Sequence, residues 1–114
     1  METLDRELLL QNVDGDAELL REIVELFFES SDEIVRNLKT AVTGADADAV
    51  NRSAHQLKGA LANVGACAAA DAAARLEKLG RGGRLEGAGE ALTSLEGELA
   101  RLGPELRGLA ASLD

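Results

Sequence analysis

The chain has 114 residues, of which 46% are hydrophobic but only 2% aromatic, so its core must be built from Leu, Val, Ile and Ala, which favours closely packed helices. A net charge of −9 and an isoelectric point near 4.6 argue against a nucleic-acid or anionic-membrane surface. No apolar run approaches a membrane span, no signal peptide opens the chain and one cysteine excludes an internal disulfide, so a single cytoplasmic domain over 1–114 is expected.

Residues 4–12 read as a short helix with Leu4, Leu8 and Leu9 on one side, too short to stand alone and so expected as a lid over one end of the core. After the Asp14-Gly15 turn, Asp16 starts a long helix over about 16–42. Leu20, Ile23, Phe27, Ser30, Ile34, Leu38 and Ala41 keep a three-four rhythm there, reinforced by Leu19, Leu26 and Val42. Ser30-Ser31 is a soft spot that permits a bend. Phe27 is the expected core aromatic, leaving Phe28 at the flank or against the first helix. Gly44 ends the segment.

The next helix, 46–64, has Ala47, Val50, Ala54, Leu57, Leu61 and Val64 on one stripe, Asp46 as N-cap and Gly65 as stop. An alanine-rich helix over 66–79 follows, bulkiest at Leu76 and Leu79, and is expected to fold back antiparallel from Gly65. In it Cys67 is expected as a small packing residue. Gly80-Arg-Gly-Gly-Arg reads as a plain loop. The last helix, 87–112, leads into a stripe of Ala88, Leu92, Leu95, Leu99, Leu102, Leu106, Leu109 and Leu113. The stripe stays in phase across Gly103-Pro104, which predicts a kink and not a chain reversal. The sum is an all-α, antiparallel up-down-up-down four-helix bundle with a short extra N-terminal helix.

The only histidine, His55, lies inside the third helix but off its stripe. At about 100° per residue it points roughly 130° from the centre of the apolar face, hence toward solvent. Lys58 and Arg52, three residues away on either side, place cations near the ring. Gly59 and Ala62 form a small-residue floor beside it, although a mid-helix glycine costs about 1 kcal/mol relative to alanine. Such a floor admits another protein's backbone, and the cations suit an anion on the ring. Rival chemistries find little support. A second histidine is lacking, Arg52 stands where a ferritin-like Glu-x-x-His would need its glutamate, and no serine nucleophile pairs with His55.

The run Ala-His-Gln-Leu-Lys-Gly-Ala-Leu-Ala-Asn-Val-Gly-Ala over 54–66 resembles the phosphoacceptor motif of histidine-containing phosphotransfer (HPt) domains, His-x-Leu-Lys-Gly followed by Gly-Ala. Val-Asp-Gly-Asp-Ala-Glu-Leu-Leu at 13–20 is also similar to that family, whereas Ala60 departs from its frequent serine and Pro104 from its uninterrupted last helix. The resemblance implies that His55 exchanges a phosphoryl group with aspartates of response-regulator receiver domains through the imidazole nitrogen furthest from the backbone. It also implies that Lys58 helps to neutralise the phosphate, that Gly59 leaves room for the partner, and that a polar residue on the next helix, near Glu77, faces the ring. The rival reading of Glu77 is an ordinary solvated residue.

No cofactor of its own is expected, and Mg²⁺ would come with the receiver domain. The chain is expected to be a monomeric phosphorelay intermediate without autonomous kinase activity, standing alone or at the cytoplasmic end of a membrane-bound hybrid sensor histidine kinase, and to bind neither nucleic acid nor lipid. The alternatives are a helical adaptor that binds receiver domains without phosphotransfer, and a bundle that dimerises through its last helix.

Overall fold

The computed structural model describes residues 2–112, which form five helices and no strand. Three of the helices begin with an aspartate whose carboxylate accepts hydrogen bonds from otherwise unpaired amides of the first turn. Asp5 opens α1 (Arg6–Asn12), Asp16 opens α2 (Ala17–Thr43) and Asp46 opens α3 (Ala47–Asn63). The helix α4 (Cys67–Arg81) starts without a side-chain cap, and α5 (Ala88–Ser112) completes the set.

Helices α2, α3, α4 and α5 close a ring, each packed on the next and α5 back on α2, with the most extensive contact between α3 and α4. This is the antiparallel bundle expected from the periodicity, 45 × 24 × 19 Å in extent, its long dimension matching the roughly 40 Å of α2 at 1.5 Å per residue. Leu20 and Leu38 from α2, Leu57 and Leu61 from α3, Leu76 from α4, and Leu95, Leu102 and Leu106 from α5 are fully buried. The short α1 and the residues before it form the lid: Leu4, Leu9 and Val13 are buried, and the Asp5 amide donates to the Gly65 carbonyl at 2.8 Å. Gly65, at φ +74°, makes the α3–α4 turn beneath it, and a Cβ there would meet the Asp5 carbonyl at 2.8 Å.

The α3–α4 hairpin is drawn tight by small residues. Ala69, Ala72 and Ala73 are buried on α4, and a Cβ on Gly80 would lie 2.5 Å from the Asn51 amide and 2.7 Å from the Ala47 carbonyl. Gly80 and Arg81 are therefore the last residues of α4, not part of a loop as their composition implied. Backbone contact of this kind fixes the register in which α4 side chains face α3.

Several other expectations are corrected. The buried stripe of α2 passes through Val24 and Ser31, with Ile23 and Ile34 half-buried at its edge, while Ser30 is exposed. The Ser31 hydroxyl donates to the Phe28 carbonyl at 3.3 Å, which satisfies it inside an unbroken helix. Leu8, Leu19 and Leu26 are exposed and do not reinforce the core. Of the two places expected for Phe28, it takes the flank: half-buried, it packs edge-on to Phe27 and beneath the Arg107 guanidinium at 4.1 Å, facing α5 and not α1. Cys67 is exposed at the start of α4. Gly44 caps α2, but the left-handed residue of that turn is Ala45, at φ 51°. The absence of a chain reversal at Gly103-Pro104 is as expected, since helix α5 runs through Pro104, and Leu113 lies outside the described residues.

Candidate functional site

His55 stands at mid-length on α3, its side chain 68% exposed, on the side away from Ala54, Leu57 and Leu61, which are fully buried. Opposite it on α4 is Glu77. Its neighbours Ala73, Leu76 and Gly80 on the inner face of α4 carry it into the hairpin, and the residue is only 5% exposed. Glu77 is thus no ordinary solvated residue.

Its carboxylate gathers three cationic or potentially cationic groups. His55 Nδ1 is in short contact with Oε2, Lys58 Nζ donates to Oε1 at 2.7 Å, and the Arg81 guanidinium lies 3.7 Å from that same oxygen. From below, Asn51 Nδ2 donates to the Glu77 carbonyl at 3.0 Å, tying the two helices at the level of the site. The hydrogen bond from Lys58, then that from His55, holds the Glu77 carboxyl below its ordinary value against the opposing effect of burial. An ionised carboxylate has no proton to give, so His55 Nδ1 must be the donor. In the neutral ring the free lone pair then sits on Nε2, the nitrogen away from Glu77.

Lys58 and Glu77 are therefore brought together with His55, but Lys58 is engaged by the carboxylate instead of standing free beside the ring. Arg52 and Ala62 are exposed on α3 and take no part in the Glu77 cluster. Gly59 is exposed, and a Cβ added there would meet nothing within 4 Å, so no internal packing requires this glycine. Asn51 and Arg81 were not singled out by the sequence. Arg81 was hidden by its glycine-rich surroundings, although its position four residues after Glu77 is the spacing of a helical ion pair.

The chain matches the Hpt domain over residues 22–105. It belongs to the Hpt domain family. By structure this Hpt domain is similar to histidine-containing phosphotransfer protein B (HptB) from Pseudomonas aeruginosa PAO1, with a TM-score of 0.90, 26% identity and 96% of each chain covered. Among curated proteins, none matches the sequence significantly. Hpt domains carry phosphoryl groups on histidine in two-component signalling, working with receiver domains of response regulators and not acting as kinases, and a histidine phosphotransfer role follows for this chain. No helix among the described residues is long and apolar enough to cross a membrane.

Proposed function

We propose that His55 is the phosphoacceptor of this Hpt domain and relays the phosphoryl group between receiver domains. The observation that carries the reading is the Nδ1 contact to Glu77, which leaves the Nε2 lone pair facing a partner on an exposed ring. In the transfer, Nε2 attacks the phosphorus of an aspartyl phosphate, a P–N bond forms, the P–O bond to the aspartate breaks and the carboxylate leaves. The ring gains positive charge while its proton stays on Nδ1, hydrogen-bonded to Glu77, whose ionised carboxylate stabilises that charge. Receiver domains supply Mg²⁺ and the remaining catalytic groups; this chain supplies position and electrostatics.

The docking surface is the exposed side of α3 together with the adjoining flank of α2. Leu19 and Leu26 are about two turns apart on one side of α2, and Asn37 falls on that side about three turns further on. Asn37 shares a depression with Arg52 of α3, so this flank borders the histidine helix at its Asn37 end, and Leu26 falls near the level of that helix's last turn. Leu26, at that level, is an apolar anchor at the edge of the surface that carries the charged site.

The test is incubation with a phosphorylated receiver domain or with ATP alone, comparing wild type and His55→Gln. Acid-labile, alkali-stable label should move from the receiver domain to the wild type only, and none should come from ATP. Receiver binding without label transfer would make the chain an adaptor.

A further inference from the structure

Two cations address one oxygen of Glu77. Lys58 Nζ is bonded to Oε1 at 2.7 Å, and Arg81 waits 3.7 Å from that same atom. The Lys58 side chain is 36% exposed and that of Arg81 67%, so the lysine is held within the hairpin and the arginine reaches in from its open edge. Phosphorylation of His55, the reading on which this inference rests, would place a doubly negative group within reach of Lys58, three residues along the same helix face. Moving Lys58 to that group on its own would strip a buried carboxylate of its closest cation, which is unfavourable at a residue only 5% exposed.

We propose that Arg81 is a positioning residue for the transfer: when His55 is phosphorylated, Arg81 takes over Glu77 Oε1 from Lys58 and frees the ammonium for the phosphoryl oxygens. The exchange makes and breaks no covalent bond. The bond changes remain those of the transfer itself, P–O to P–N. Through it Glu77 keeps two hydrogen-bond partners in both states, the His55 Nδ1–H and one cation. Arg81 acts through Lys58 and Glu77, touching neither the ring nor the phosphoryl group. The i,i+4 spacing on α4 suits this role, because one change of arginine rotamer closes the gap while the backbone, held by Gly80 against Asn51, stays in place.

The experiment measures the equilibrium distribution of label between this protein and a receiver domain for wild type, Arg81→Gln, Arg81→Lys, Lys58→Gln and the double variant Lys58→Gln/Arg81→Gln. Thermal unfolding of each unphosphorylated protein is the control for folding. Arg81→Gln should unfold within about 2 °C of wild type, since exposed charge pairs contribute little, yet shift the distribution about fivefold toward the receiver domain, as expected for the loss of one charge contact. Arg81→Lys should restore most of it. In the Lys58→Gln background Arg81→Gln should add less than about a twofold further shift, because no ammonium remains to be released. A distribution unchanged by Arg81→Gln overturns the exchange, and so do fully additive losses, which would put Arg81 on the phosphoryl group itself. Absence of label on wild type would overturn the assignment of His55 as acceptor, and this inference with it.

Discussion

Replacing Glu77 by alanine separates the structural and chemical roles of the site. The carboxylate is buried, but its partners differ in exposure: Lys58 is 36% exposed, whereas His55 and Arg81 are 68% and 67% exposed. Only the Lys58 bond therefore approaches the roughly 1.5–3 kcal/mol typical of a hydrogen bond to a charged group. The other two are screened and contribute about 0–1 kcal/mol each. The released lysine and histidine can turn to water, so the expected loss in Glu77→Ala is about 2 kcal/mol at neutral pH, a fall in melting temperature of roughly 8 °C. The loss depends on pH in a definite sense. The carboxyl of Glu77 is held below its ordinary value of 4.5 in the folded state, so the unfolded chain takes up the proton first as pH falls. The stabilisation is complete above that ordinary value and disappears as pH drops through the lowered one. The gap between wild type and variant should thus close in acid. Phosphotransfer should fall about 10- to 100-fold, the cost typical of removing a partner that orients a histidine, while Glu77→Gln should lie between, because its carbonyl can still accept from Nδ1–H. Thermal unfolding at neutral and acid pH, with transfer rates from a phosphorylated receiver domain, measures all of this. A Glu77→Ala protein that transfers at the wild-type rate, or a stability gap that persists in strong acid, would refute the reasoning.

The two helical glycines of the hairpin should respond oppositely to the same change. Gly59→Ala meets open space and should raise stability by about 1 kcal/mol while slowing transfer, visible as a higher melting temperature with a lower rate. Gly80→Ala drives a methyl into the Asn51 amide and Ala47 carbonyl, so urea titration should show a loss of about 1–2 kcal/mol after the alanine's helix preference is offset. Leu26→Ala removes a side chain that is 63% exposed. It should leave the melting temperature unchanged but weaken receiver binding several-fold in calorimetry.

Periodicity carried the fold because the bundle is built from long helices whose buried residues recur at three and four. Leu57, Leu61, Leu95, Leu102 and Leu106 all lie where that rhythm places them. It failed at Leu19 and Leu26, which stand four and three residues from the half-buried Ile23 at the edge of the stripe but lie about 100° or more from its centre, since local spacing does not distinguish an anchor for a partner from one for the interior. It failed also at Gly80-Arg81. Glycines there imply a loop, but close approach of two helix backbones requires Gly80 inside α4. At the site, His55, Lys58 and Gly59 stand out on one helix, so local spacing sufficed to select them. Asn51, Glu77 and Arg81 matter through their register against the neighbouring helix. Of these, only Glu77 was reached from the sequence, through the resemblance that implies a polar residue near it facing the ring.

The central claim concerns one atom. Nitrogen-15 and phosphorus-31 NMR of the protein phosphorylated by a receiver domain locates the phosphoryl group on the His55 ring directly. Phosphorus coupled to Nε2, with a proton retained on Nδ1, is the expected result, since Nδ1 is committed to Glu77. Phosphorus on Nδ1, or on any residue other than His55, would contradict the account.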